Sequence, residues 1–539
     1  MDQVRSALSQ SKRFIILEAP VGFGKSAIAA WLCNRLGSAY LLTSTKQLQD
    51  QYSLDFGFPV VTGKANFTCL VPTPSGKHPP CSKGRCEADW SLPDCPHYLT
   101  FEQWDEHRKG LCEKGDKCNN LKDKKLCAYY EQKWDAFRSP VMVANYPFFL
   151  TELRHTDDIS QRTLLVCDEA HDLEKQMVDF GSYTLSRSVL ERYRVSGGST
   201  KSPPVSIPNL GQEDASAWKA VLLEARESLG LFVDTYLADR SVQDQVASCR
   251  NALESLEEFL LNLEAHPANW IVNGIRDRAA LDGGAEVEEV VFSPLEIGRY
   301  TSDLFETAHT VLFMSATVFS KERFCRALGM PEAETAFIQV KDSSFPVENR
   351  RIYAMNAARL NRATMEESMD SIAKAVDALM TRHAGKRGIV HTTSYWQANF
   401  IMEHVSERNR ARLSSTKDST SRSTLLKEHG LKEESVLISP SLYLGVDLKE
   451  ELSRFQIIVK VPYPDLSDRR IRIKAERDPA WYDWQTALRL VQTYGRSVRS
   501  ESDYATTYVL DSNFNRFVTK NGGLFPDYFV KAIQDGLEV

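Results

Sequence analysis

The sequence predicts an α/β protein built on two parallel sheets, the first of them interrupted by two long insertions. Three observations predict it. Short apolar runs alternate with helical patterns at the start of the chain, and the same alternation restarts near Arg351. Between them the periodicity breaks twice, first into a cysteine-rich segment and then into a long stretch of helical apolar spacing. A length of 539 residues, at about 150 residues per domain, is consistent with three to four domains.

In chain order, Phe14 to Glu18 reads as a buried strand, a glycine-rich turn follows, Ser26 to Leu36 reads as a helix, and Ala39 to Thr43 as the next strand. From about Asn66 to Pro140, Cys, Pro, Gly and Lys cluster with little periodicity, which marks an insertion. Strand signals resume at Val141 to Ala144 and at Thr163 to Cys167, which runs into Asp168-Glu169-Ala170-His171. Ser196 to Asn209 is Gly/Ser/Pro-rich, and Ala215 to His266 carries helical spacing through Trp218, Leu222, Leu229, Leu256 and Leu260, a second insertion. Val311 to Met314 is another strand, and Gly388 to Val390, Val436 to Ile438 and Ile457 to Val459 belong to the second sheet. No internal repeat or long low-complexity tract is present.

Hydrophobic residues make up 42% of the chain and charged residues 26%, ordinary values for a folded, soluble protein. No apolar run reaches the roughly 18 residues of a membrane span, and no signal peptide is visible, so the expectation is a cytoplasmic protein with no membrane partner. The net charge of −6 means that a nucleic-acid partner has to be met by local basic surface. One such excess lies between His107 and Lys125, a stretch with seven lysines and arginines against three acids.

The chemistry concentrates at three places. Ala19-Pro20-Val21-Gly22-Phe23-Gly24-Lys25-Ser26 follows a strand and opens a helix, as a phosphate-binding loop requires. In such a loop backbone N–H groups face the phosphates, Lys25 reaches the terminal oxygens and Ser26 binds Mg²⁺. Asp168 and Glu169 sit at the carboxyl end of a strand, where open α/β sheets place ligands. There Asp168 is suited to hold Mg²⁺ and Glu169 to orient and deprotonate an attacking water. Gln492, Arg496 and Arg499 follow helical spacing, and arginines so placed can clamp a γ-phosphate across a cleft.

These segments occur in order with Thr43-Ser44-Thr45-Lys46-Gln47-Leu48-Gln49, Ser315-Ala316-Thr317 and Gly445-Val446-Asp447-Leu448, and together they resemble superfamily 2 helicases. More narrowly, Gly63 to Cys69, Cys127-Ala128-Tyr129-Tyr130, Asn145 to Leu150, Ser344-Phe345-Pro346 and Val461-Pro462-Tyr463-Pro464 resemble the XPD/DinG branch of iron-sulfur DNA helicases. The resemblance implies two RecA-like motor domains, 1–66 with 141–171 and 301–345 for the first and 346–539 for the second. It also implies an iron-sulfur cluster domain over 67–140 and a mostly helical Arch domain over 172–300. It adds Asp447 to the ATP contacts, and Thr45, Lys46, Ser439 and Ser441 as contacts to DNA. It implies ATP-driven 5′ to 3′ movement on single-stranded DNA and unwinding of forked or tailed duplex, by a monomer whose Arch offers room for protein partners. Val21 departs from the family's usual Thr, and Asp172 stands where many members have Asn.

Seven of the eleven cysteines, Cys69, Cys81, Cys86, Cys95, Cys112, Cys118 and Cys127, crowd into the first insertion. A reducing compartment disfavours disulfides, so a metal centre is the expected use, and spacing alone does not separate iron-sulfur from zinc. The resemblance favours a four-iron four-sulfur cluster with Cys69 and Cys127 as outer ligands and Cys112 and Cys118 between. Cys81, Cys86 and Cys95 stay open, also as a zinc site with His97. Three other functions remain compatible with the residues: a strand translocase or remodeller with weak unwinding, an RNA-directed helicase, and an ATP-switched nucleic-acid adaptor.

Overall fold

The computed structural model describes residues 2–534 except 73–75, 84–94, 96, 110–124, 196–206, 212–213, 240–241, 280–284, 344, 362, 416–421, 441–447 and 449. Six strands form the first sheet: β1 (Phe14–Glu18), β2 (Ala39–Thr43), β3 (Val141–Asn145), β4 (Arg162–Asp168), β8 (Ala308–Ser315) and β9 (Thr335–Gln339). Their order is β3-β2-β4-β8-β1-β9 and every pairing is parallel. Both faces are covered, as apolar runs without alternation require. Phe14, Ile16, Leu165, Cys167 and Phe313 pack on one side, and Ile15, Leu17, Leu164, Val166, Leu312 and Met314 on the other.

The second sheet has seven strands, β10 (Ile352–Ala358), β11 (Gly388–His391), β12 (Leu413–Ser415), β13 (Val436–Ser439), β14 (Phe455–Ile458), β15 (Thr506–Asp511) and β16 (Ile533–Gln534). It is again parallel throughout, in the order β12-β13-β11-β14-β15-β10-β16. The strand segments expected from the sequence coincide or overlap with these elements, with ends that differ by at most three residues.

The second insertion is not only helical. Helices Lys219–Tyr236 and Gln243–Ala265 pack their apolar faces against a three-stranded antiparallel sheet of β5 (Tyr183–Ser186), β7 (Ala285–Pro294) and β6 (Trp270–Ala279). Trp218, fully buried, and Phe292 lie at the centre of that core. The first insertion also contains regular structure that periodicity did not reveal. Helices Phe101–Lys109 and Ala128–Arg138 close over Leu99, Trp104 and Trp134, and the Trp134 indole donates to the Leu99 carbonyl at 2.9 Å. No helix among the described residues is long and apolar enough to cross a membrane.

Candidate nucleotide site

The loop after β1 turns through Gly22 and Gly24, both with left-handed backbone (φ 81° and 87°), into helix Lys25–Leu36. Only glycine suits Gly22 twice over. A Cβ there would meet the Phe345 ring at 2.3 Å, and the positive φ already excludes most side chains. The Lys25 ammonium folds back to donate to the carbonyls of Ala19 (2.9 Å) and Pro20 (3.2 Å). Burial lowers its pKa, against the opposing charges of Glu169 and Asp168. Glu18, at the end of β1, anchors the next strand end by accepting from Val318 N (2.7 Å), Phe319 N and Gln339 Nε2 (2.8 Å).

Asp168 ends β4, directly beside β8. Its carboxylate accepts from the Tyr52 hydroxyl at 2.9 Å, and the Ser26 side chain acts on that same hydroxyl. Tyr52 thus stands between Ser26 and Asp168, the two groups expected to hold a cation. Burial and then the neighbouring Glu169 charge raise the Asp168 pKa to about 6. Glu169 behaves oppositely. Burial works against its charge, but a hydrogen bond from His171, the His171 charge, Lys25 and Arg496 together hold it well below the usual carboxylate range. Glu169 adopts a left-handed backbone (φ 50°), uncommon for a non-glycine residue and a form of strain that collects at functional sites.

From Glu169 a polar chain leads across to the second sheet unit. The His171 ring meets Glu169 Oε2 at 3.2 Å and Ser315 Oγ at 3.1 Å. Ser315 Oγ accepts from Thr317 N at 3.1 Å, and Thr317 Oγ1 accepts from Gln492 Nε2 at 2.9 Å. Gln492 rides on helix Pro479–Tyr494, whose end leads into Arg496 and Arg499. Both arginines line one cleft with Pro20, Val21, Glu169 and Thr317. Their loop is held from below: Asp503 Oδ2 accepts from Arg499 N (3.1 Å) and Glu450 N (3.0 Å), and Gln456 donates to the Tyr494 carbonyl at 2.8 Å.

The structure thus brings Glu169, Gln492, Arg496 and Arg499 around one cleft between the two sheets, with Lys25 close enough to Glu169, Asp168 and Arg499 to feel their charges. Thr45 caps helix Lys46–Phe56 by accepting from Leu48 N, and Lys46 donates to Asn66 Oδ1 on an exposed surface. Ser439 ends β13 fully buried. Asp447 and Ser441 lie outside the described residues. Tyr52, Ser315 and Thr317 belong to the site through side-chain bonds that spacing alone does not signal, although Ser315 and Thr317 fall in an ordered motif.

Of the cysteines in the first insertion, Cys69, Cys81, Cys95 and Cys127 are described, all buried and none in a disulfide; Cys86, Cys112 and Cys118 lie outside the described residues. Cys69, Cys81 and Cys127 share one packed cluster with Tyr129. Cys81 joins it because Thr68 and Pro80 form an antiparallel bridge, with Cys81 N donating to Phe67 O at 2.7 Å. Among the described residues no set of three or more His, Cys, Asp or Glu side chains converges as a metal site.

Comparison with known proteins adds to this geometry. Residues 65–190 match the DEAD_2 family, and residues 378–531 match the helicase C-terminal domain family. A probable ATP-dependent helicase of Methanocaldococcus jannaschii is 20% identical over 97% of this chain and 93% of that protein. An XPD helicase structure superposes with a TM-score of 0.61 at 16% identity, covering 99% of this chain and 98% of the other. Xpd4 of S. tokodaii superposes at 0.58 with 14% identity, covering 99% and 98%. At these identities the solved structures speak to the fold, which is that of XPD helicase.

Proposed function

We propose, on the premise that this chain belongs to the XPD-like superfamily 2 helicases and is a nucleic-acid-dependent ATPase, that it moves 5′ to 3′ along single-stranded DNA and unwinds duplex ahead of it. The observation that carries this reading is the single cleft that sets Arg496 and Arg499 of one sheet unit against Pro20, Val21 and Glu169 of the other. In it ATP lies on the loop at Lys25, with Ser26 and Asp168 holding Mg²⁺. Glu169 takes the proton of the attacking water, and Arg496 with Arg499 stabilises the charge that develops on the transferred phosphoryl. Gln492 reports cleft closure to Thr317, Ser315 and His171. Asp447 would add a further contact to the nucleotide.

In this reading the two sheet units are RecA-like motor domains, 67–140 is an iron-sulfur domain and 172–300 an Arch domain. Thr45, Lys46 and Ser441 are the proposed strand contacts, whereas Ser439, expected among them, is fully buried and closed to a strand in this structure. A four-iron four-sulfur cluster rests on the family resemblance: Cys69, Cys81 and Cys127 pack in one buried group but do not converge as a metal site among the described residues. Cys81 stays open beside Cys112 and Cys118 for the inner positions. Such a cluster would supply a cross-link that holds the insertion folded. Iron and labile sulfide, without zinc, are the expected analysis of anaerobically purified protein.

The experiment is ATP-dependent strand displacement on matched duplexes that carry a 5′ or a 3′ single-stranded DNA tail. Unwinding of only the 5′-tailed DNA is the expected result. Unwinding from the 3′ tail alone overturns the polarity, and DNA-stimulated ATP hydrolysis without displacement turns the reading into a translocase.

A further inference from the structure

Glu174 lies six residues beyond Asp168, on helix Leu173–Gly181, and none of the chemistry above uses it. It is buried, and three side chains of the second sheet unit converge on it. Arg470 Nη2 and Lys474 Nζ donate to Oε1 at 2.9 and 2.7 Å, and Gln485 Nε2 donates to Oε2 at 3.4 Å. Burial opposes its charge, but Lys474 and Arg470 hold the carboxyl below its usual range, so it stands as a carboxylate between two cations. Arg470 is shared with a third body. Its Nε donates to the Pro294 carbonyl at 3.0 Å, its Nη2 to the Leu295 carbonyl at 3.1 Å, and its backbone N–H to Asn273 Oδ1 at 3.0 Å. Asn273 in turn donates to Asp468 Oδ2 at 3.3 Å. One buried joint thus ties the segment that carries Asp168 and Glu169, the helices of the second unit, and the ends of β6 and β7.

The joint shares a lever with the nucleotide cleft. Gln485 and Gln492 sit two turns apart on helix Pro479–Tyr494, on the order of 10 Å along its axis. Gln485 holds this helix to Glu174 by one bond of 3.4 Å, the buried charge-assisted bonds to Glu174 come from Arg470 and Lys474 on helix Arg469–Arg477 packed against it, and Gln492 holds it to Thr317 by a neutral bond of 2.9 Å. Hydrogen bonds to charged groups are the stronger, and breaking this pair would leave two cations buried without a counter-charge. Opening the cleft therefore releases the Gln492 bond while helix Arg469–Arg477 stays pinned at Glu174, and the packed pair of helices turns about that pin. Because Arg470 also grips Pro294 and Leu295, the turn reaches the three-stranded sheet.

We propose that Glu174 is the positioning residue that ties closure of the nucleotide cleft to the three-stranded sheet of the second insertion. This rests on the motor reading above, and the test separates the two. Hydrogen exchange is followed in the full-length protein with and without a non-hydrolysable ATP analogue, alongside ATP turnover with and without single-stranded DNA. In the unaltered protein the analogue slows exchange both in helix Lys25–Leu36 and in β6 and β7. In Glu174→Gln the first response stays and the second disappears, and DNA-stimulated kcat falls about tenfold with the KM for ATP nearly unchanged. Glu174→Asp, which keeps the charge, restores part of the stimulation, as a merely space-filling role would not require. If Glu174→Gln does not fold, Lys474→Met weakens the joint while leaving the Arg470 pair, and the same loss is expected. A nucleotide response in β6 and β7 that survives Glu174→Gln, or that is absent from the unaltered protein, overturns the proposal. No response at Lys25–Leu36 would instead bring down the nucleotide site itself, and the proposal with it.

Discussion

The nucleotide cleft hangs its groups on the ends of buried parallel strands, whereas the cysteine-rich insertion hangs its thiols on loops, one short turn and the start of a helix. Lys25, Asp168 and Thr317 follow β1, β4 and β8, three adjacent strands whose register fixes their spacing before any ligand arrives. Cys69 and Cys81 meet through one bridge between Thr68 and Pro80, and Cys127 arrives at the N-cap of helix Ala128–Arg138. A site built on sheet ends is preorganised by a core that exists for other reasons. Thiols carried on loops need a small core of their own, here Tyr129 beside Cys69, Cys81 and Cys127, next to a second one of Leu99, Trp104 and Trp134. Damage should therefore separate: in the cleft it strikes turnover and spares the fold, and in the insertion it strikes stability and spares nucleotide binding.

The largest effect that tests this contrast is expected from Arg496→Ala, with a loss of DNA-stimulated ATP turnover of ~10³–10⁵ and an unchanged melting temperature. A parallel drop in melting temperature would break the contrast. Lys25→Ala should cost roughly 10²–10³ in turnover while single-strand binding persists, measured by steady-state hydrolysis and fluorescence anisotropy. Trp104→Ala is the mirror case. It should destabilise the insertion by about 3–5 kcal/mol, seen as an early transition in a thermal melt, with ATP still bound by the remainder.

A subtler probe uses pH. Asp168, raised above the usual carboxylate range by burial and the Glu169 charge, has to be ionised to hold a cation, so protons compete with Mg²⁺ there and the Mg²⁺ concentration needed for half-maximal turnover should rise as pH falls. The Tyr52 hydroxyl favours the ionised form by donating to it, so Tyr52→Phe should let the carboxyl keep its proton to higher pH and move that rise to higher pH. An unmoved rise would mean that another group sets it. The smallest effect is at Thr45, whose side chain caps a helix: Thr45→Ala should cost about 1 kcal/mol in a denaturant melt.

Much of the motor frame is legible in the sequence because strands covered on both faces read as unbroken apolar runs: Phe14 to Glu18 and Ala39 to Thr43 match their strands end to end. The three-stranded sheet is not legible for the complementary reason. Arg276, Asp277, Glu288 and Glu289 dilute β6 and β7 until neither alternation nor a run stands out. In the cleft, the residues on ordered motifs are readable. Partnerships such as Tyr52 with Asp168, Gln492 with Thr317 or Arg470 with Glu174 join residues more than a hundred positions apart, and only the folded topology reveals them. The same holds for Cys81, brought to Cys69 and Cys127 by a bridge that no spacing rule contains.

The place of β8 in the first sheet bears on how the protein is made. It lies between β4 and β1, yet it begins at residue 308, behind both insertions, whereas β4 ends at residue 168. At ~5–20 residues per second, the ribosome spends on the order of ten seconds between these two strands. During that interval β1 and β4 have no middle strand to join them, and the edges they later give to β8 wait unpaired while the second insertion emerges. The loop at Lys25 can then acquire its partners only late. The N-terminal third should thus depend on chaperones until residue 315 has left the tunnel, and a chain that stalls within the second insertion is the species most exposed to aggregation.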